Sequence, residues 1–147
     1  CVTRRQRQMC IRDRAKFIQS FINIGLVPDT GGSFTLPRAI GKQKAAALMM
    51  SGDKLSAEDA ERMGMIYKCV DDADGLQEAV NFTERISLMP TQSIGYIKHM
   101  LKASERNDLQ QQLDLEKELQ KKAAASYDHQ EGINAFFEKR KPVYKGE

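Results

Sequence analysis

The sequence has no apolar run approaching the ~20 residues needed to span a bilayer, which excludes a membrane-spanning helix within it and predicts no membrane partner. Its basic N-terminus is not followed by an apolar h-region, so no secretory signal is expected. Cysteine is scarce: Cys1, Cys10 and Cys69 are odd in number, far apart, and form no Cys-x-x-Cys pair. Histidine is scarcer still, with only His99 and His129, neither at ligand spacing. A disulfide framework and a zinc site are therefore disfavoured, no metal is expected, and a reducing, cytoplasmic location is predicted. Strand-like segments are also few. A strand remnant at Ala15 to Phe17 and one strand at Met65 to Val70 do not make a stable sheet of their own.

What is present is the composition of an ordinary globular protein, 41% hydrophobic and 29% charged, in 147 residues. That length suits one modest domain or part of a larger one. The charge is unevenly placed. Residues 1–14 hold five arginines and one aspartate, a net +4, against +3 for the whole chain, so the remainder is net −1. A basic arm for nucleic acid or a membrane surface is one reading of this tail. The other is that it is not native, because Met9-Cys10-Ile11-Arg12-Asp13-Arg14 looks like translated sequencing adapter. The tail is accordingly set aside from the fold. The slightly acidic body left behind carries no nucleic-acid motif, so no nucleic-acid partner is expected.

Helix signals dominate from residue 33 onward. Ser33 to Ile40 reads as a short helix, and Lys42 to Met50 is made of strong helix formers closed by Gly52. Ser56 with Asp59 marks a helix start that runs to Arg62 and closes at Gly64. Asp71, Asp72 and Asp74 precede a helix from about Leu76 to Leu88, stopped by Pro90. Thr91 to Ala103, Asp108 to Ser126 and Asp128 to Lys139 complete the set, with Leu109, Leu113, Leu115 and Leu119 predicted as an apolar stripe. Tyr67 reads as a packing residue in a strand, and Gln110-Gln111-Gln112 as a solvated helix face. Such helices need a larger body to pack on, so the chain is predicted to be the C-terminal part of a bigger α/β protein. Three segments follow: the tail at 1–14, the end of a core at 15–70, and a C-terminal helical domain at 71–147.

The most informative stretch is Gly25-Leu26-Val27-Pro28-Asp29-Thr30-Gly31-Gly32-Ser33-Phe34. Pro28 fixes its own φ and biases Val27 to an extended conformation. Gly31 and Gly32 permit backbone angles or approaches that a side chain forbids. Asp29 thus stands where a loop becomes a helix. It is either an N-cap or a catalytic carboxylate, and spacing alone leaves both open.

The order of Ala15-Lys16-Phe17, Gly25 to Arg38, Ile40-Gly41, Ser51-Gly52 to Gly64, Ile97-Lys98 and Glu131-Gly132-Ile133-Asn134-Ala135-Phe136-Phe137-Glu138-Lys139-Arg140-Lys141-Pro142 resembles the C-terminal half of the crotonase family, the enoyl-CoA hydratase/isomerase superfamily. The resemblance covers nearly everything from residue 15 onward. It implies a mostly α chain that is the C-terminal part of an α/β crotonase spiral fold, with the N-terminal half absent. Val27-Pro28-Asp29, Gly64-Met65-Ile66-Tyr67 with Asp71-Asp72, and Leu113-Asp114-Leu115-Glu116 before Ser126-Tyr127-Asp128 look most like the family's ring-epoxide isomerases of phenylacetyl-CoA breakdown. Where family hydratases keep a catalytic glutamate, this chain has Phe21, which cannot activate water.

The implied function is acyl-CoA isomerisation with Asp29 as general base, desolvated by Val27, Phe21 and Phe34. Phe21, Pro28 and Thr30 would contact substrate, Lys139 would meet the phosphates of coenzyme A, and Phe136 would cover its adenine or pantetheine arm. Coenzyme A would enter as part of the substrate, with no separate cofactor. A homotrimer or hexamer is implied, with the helix after Gly32 and the C-terminal helices as contacts. The alternatives are an enoyl- or dienoyl-CoA double-bond isomerase or hydratase, and an inactive fragment that only folds and oligomerises. Cations in a last helical turn and aromatics at helical spacing are common in any protein, so Lys139 and Phe136 also read as ordinary surface and core residues.

Overall fold

The computed structural model describes residues 10–71 and 73–147, so the readings placed on residues 1–9 and on Asp72 lie outside the described residues. The chain is mostly helical and divides after Asn81 into two compact units. The sequence reading set its boundary at residue 70. The division falls later, and the start of the helix that follows is tied to the last strand by an ion pair between Lys68 and Glu78 at 2.7 Å.

In the first unit four three-residue strands form two ladders. β1 (Cys10–Arg12) runs parallel to β4 (Lys68–Val70), with Ile11 opposite Cys69. β2 (Lys16–Ile18) runs antiparallel to β3 (Lys54–Ser56), with Phe17 opposite Leu55. Two of these strands were not foreseen. β1 falls in the segment set aside as a tail, and Lys54–Ser56 has too short a pattern to read as a strand without its partner. Tyr67 lies before β4 and is exposed, not packed in a strand. In β4 the Cys69 N–H donates to Glu61 Oε2 at 2.8 Å. Burial, together with Glu58, Glu61, Asp13 and Asp71, pushes the Cys69 thiol up, toward its neutral form.

Three helices pack on these ladders. α1 (Gly32–Ile40) buries Leu36 and Ile40 against Ala45 of α2 (Lys42–Ser51), with Leu48, Met49, Met63 and Met65 closing the cluster. α3 (Ala57–Arg62) buries Ala60 against Leu55 and Ile66, with Phe17 and Ile11 alongside. Its start is as read: Ser56 Oγ accepts the Asp59 N–H at 3.0 Å. A 3₁₀ turn at Ser20–Ile24 leads from β2 toward α1.

α4 (Gly75–Ser87) passes from the first unit into the second, which holds α5 (Thr91–Ala103), α6 (Leu109–Ala124) and α7 (Tyr127–Phe137). α6 opens with a full capping box between Asp108 and Gln111. Its leucine stripe is only half realised. Leu119 is buried and Leu115 half-buried, but Leu109 is 76% exposed. The glutamine run is not simply a solvated face either. Gln111 completes the capping box, while Gln112 accepts from Asn107 at 3.0 Å and donates to the Met100 carbonyl at 3.3 Å, joining α6 to α5. No helix among the described residues is long and apolar enough to cross a membrane.

Candidate active site

The Asp29 loop is built by hydrogen bonds at both ends. The 3₁₀ turn closes at Gly25 in the left-handed region, and the Leu26 N–H donates to the Phe21 carbonyl at 2.9 Å. The chain then runs through Leu26, Val27 and Pro28 to a tight turn, where the Gly32 N–H donates to the Asp29 carbonyl at 2.8 Å. Both central residues have positive φ, 49° at Thr30 and 85° at Gly31, the signature of a type I′ turn. At Gly31 the absence of a side chain makes this backbone angle accessible without strain. Gly32 is already helical, and a Cβ there would make only ordinary contact with Pro28 at 3.5 Å.

This geometry separates the two readings of Asp29. The N-cap of α1 is Gly31, and no side chain caps that helix. The Gly31 carbonyl instead accepts from the Phe34 N–H, the Thr35 N–H and the Thr35 hydroxyl, at 3.0, 2.9 and 3.0 Å. Asp29 is thus released from capping. Its carboxylate is exposed and takes one hydrogen bond among the described residues, from Thr30 Oγ1 to Oδ1 at 3.1 Å. The apolar shell expected of Val27, Phe21 and Phe34 is not closed within this chain. Val27 is 78% exposed, and Phe34 is half-exposed with the Arg38 guanidinium 3.5 Å from its ring centroid. Phe21 is half-buried behind the loop it anchors, and Pro28 is half-buried at the turn.

Phe21, Pro28, Asp29 and Thr30 are brought together in the first unit, whereas Phe136 and Lys139 belong to the second. Phe136 and Phe137 are both almost fully exposed at the end of α7, with ring centroids 5.8 Å apart in an edge-to-face arrangement. Phe136 helps to line a cleft of about 740 Å³ with Ser93, His129, Ile133 and Tyr144. Lys139 has φ 54° and ends α7 in a Schellman motif: its N–H donates to the Phe136 carbonyl and the Arg140 N–H to the Ala135 carbonyl. Thr30 and Lys139 are the two non-glycine residues with positive φ among the described residues, and both stand on the candidate list drawn from sequence.

The sequence reading missed a pair of buried carboxylates one turn apart on α7. Glu131 accepts two bonds from Arg140, at 2.5 and 2.9 Å, and one from the Val143 N–H at 2.8 Å. Those hydrogen bonds and the guanidinium charge hold its carboxyl well below the usual range, at about 2. Asp128 accepts the Lys145 and Gly146 N–H groups at 2.7 and 2.8 Å. Together they fasten the last residues back along the helix. The signal was present as two acids at i, i+3 spacing upstream of Arg140, but the partners at 143–146 are main-chain groups that no sequence pattern displays.

A chain with this element order and register has the crotonase fold. It superposes with a TM-score of 0.89 on the crystal structure of an enoyl-CoA hydratase from Bacillus anthracis, at 28% identity, covering 95% of this chain and 54% of that one. The protein belongs to the enoyl-CoA hydratase/isomerase family, which matches residues 9–147. Among curated relatives, 1,2-epoxyphenylacetyl-CoA isomerase of Escherichia coli K12 is 41% identical over 90% of this chain and 50% of its own length. Trans-2-decenoyl-[acyl-carrier-protein] isomerase of Streptococcus mutans is 41% identical over 91% of this chain and 51% of its own length. The chain spans about half the length of the curated relatives it matches.

Proposed function

We propose that the full-length protein carrying this chain is an acyl-CoA isomerase in which Asp29 is the general base, acting on a ring-epoxide phenylacetyl-CoA. The observation that carries this reading is the state of Asp29. It sits at the entrance to α1 yet does not cap it, and its carboxylate stays exposed with Oδ2 free of hydrogen bonds among the described residues. A positioned base of this kind contributes about 10²–10⁴ in rate. It would take a proton from the carbon beside the thioester carbonyl, leaving the electron pair in an enolate, and return the proton at another carbon; on the ring epoxide this proton shift would accompany cleavage of the ring bond that the epoxide bridges, with every atom kept in the product. No electrons leave the substrate, so the chemistry calls for no redox cofactor, and coenzyme A enters only as the thioester handle. Lys139 would meet its phosphates and Phe136 its adenine or pantetheine arm. The assembly would be a homotrimer or hexamer working in the cytoplasm.

The likeness to the epoxyphenylacetyl-CoA isomerase supports this substrate class. The equal identity to a decenoyl isomerase supports a second reading, a double-bond shift in an enoyl- or dienoyl-CoA by the same aspartate. Phe21, in place of a water-activating glutamate, argues against hydration. In the full-length protein, Asp29→Asn is expected to lower kcat by at least about 10²-fold on 1,2-epoxyphenylacetyl-CoA or on a 3-enoyl-CoA while acyl-CoA binding persists. Undiminished turnover of both would remove Asp29 from the mechanism. Faster hydration of a 2-enoyl-CoA than either isomerisation would favour the hydratase instead.

A further inference from the structure

Thr30 is an odd residue for its place. Type I′ turns take glycine, asparagine or aspartate at their central positions, and a β-branched residue at positive φ is an outlier. Thr30 nevertheless holds φ 49° immediately after Asp29. Glycine would fill the same position without strain, as it does at Gly31, but would supply no hydroxyl. That hydroxyl has a use: Oγ1 donates to Asp29 Oδ1 at 3.1 Å, the carboxylate's one hydrogen bond among the described residues. Strain retained beside a reactive group points to function when the strained residue supplies what a relaxed one cannot.

We propose that Thr30 is a positioning residue for Asp29, its hydroxyl holding Oδ1 so that Oδ2 faces the substrate and takes the proton. The proposal rests on the reading of Asp29 as the base, and it assigns Thr30 to the carboxylate rather than to substrate contact. The left-handed backbone at Thr30 and Gly31 is what turns the hydroxyl back toward its predecessor. The strain and the hydrogen bond are therefore two parts of one device.

The test uses the full-length protein with 1,2-epoxyphenylacetyl-CoA and a 3-enoyl-CoA. Thr30→Val keeps the branched shape and removes the donor, and is expected to lower kcat on the order of tenfold while KM changes less than about twofold. Thr30→Ser keeps the donor and is expected to retain most of the wild-type kcat. Thr30→Gly is expected to lower kcat as valine does, with a thermal midpoint at or above wild type because the strain is gone. A valine variant with wild-type kcat, a serine variant as slow as valine, or a rise in KM alone would each overturn the proposal. Asp29→Asn, measured in parallel, tells the two failures apart. Loss of turnover there with an unaffected valine variant removes Thr30 only, whereas turnover surviving there removes the base reading and Thr30 with it.

Discussion

At the scale of single residues, the sharpest electrostatics lie at Glu131. Its carboxyl is lowered from the ordinary 4.5 to about 2 by Arg140 and the Val143 N–H. A carboxyl depressed in the folded state binds its proton more readily when unfolded, so its contribution to stability is complete above about pH 4.5 and is lost as pH falls toward 2. The thermal midpoint of the second unit is expected to drop across that window. Glu131→Gln is expected to lower the midpoint by several degrees near neutral pH and to flatten the drop, because the Arg140 guanidinium loses its buried charged partner and keeps only the exposed Glu138. A variant with an unchanged acid profile would show that other carboxylates govern it. Asp29 was legible in sequence because proline and glycine flank it. Thr30 as its hydrogen-bond donor was not, because nothing in the order Asp-Thr-Gly-Gly reveals that Thr30 shares the positive φ expected of the glycine beside it.

At the scale of elements, most helices follow from their own ends. Ser56 carries the side-chain cap its sequence indicates, Asp108 caps α6 in the same way, and Gly52 ends α2 with φ 67° and its N–H on the Leu48 carbonyl. Gly52 does more than stop a helix, because a Cβ there would lie 2.8 Å from Asn23 Oδ1 in the turn ahead of the Asp29 loop. Gly52→Ala is expected to cost about 1–2 kcal/mol from its left-handed backbone alone, and more from the contact with Asn23, read as a lower urea midpoint. A neutral substitution would mean that Asn23 moves aside freely and that α2 does not brace the loop. The elements that escaped the sequence reading are β1 and β3. Three residues are too few to display a recognisable alternation, and their pairing is fixed by partners at Lys68–Val70 and Lys16–Ile18, far along the chain. The α6 stripe failed for a related reason: leucine spacing defines a face, but only neighbours decide how much of that face is covered.

At the scale of the molecule, the exposed apolar surface is large. Leu26, Val27, Leu76, Leu88, Leu109, Phe136 and Phe137 are each more than half exposed. Scattered apolar side chains are normal, but aromatic pairs and loops of this kind mark surfaces built to be covered. The chain is accordingly expected to self-associate at micromolar concentration, as a trimer or larger by sedimentation velocity, and to bind an apolar dye. A dye-silent monomer would count against an oligomer built on these faces. What the sequence determined by itself was local: most of the helices, the cap at Ser56 and the stop at Gly52, the loop that isolates Asp29, and a motif order sufficient to mark the family. The tertiary structure decided the rest. It put the cap of α1 on Gly31 and so freed Asp29 from that role, paired strands too short to recognise alone, and put main-chain donors on Asp128 and Glu131. Each depends on groups distant in sequence, or on backbone angles that side-chain identity does not encode.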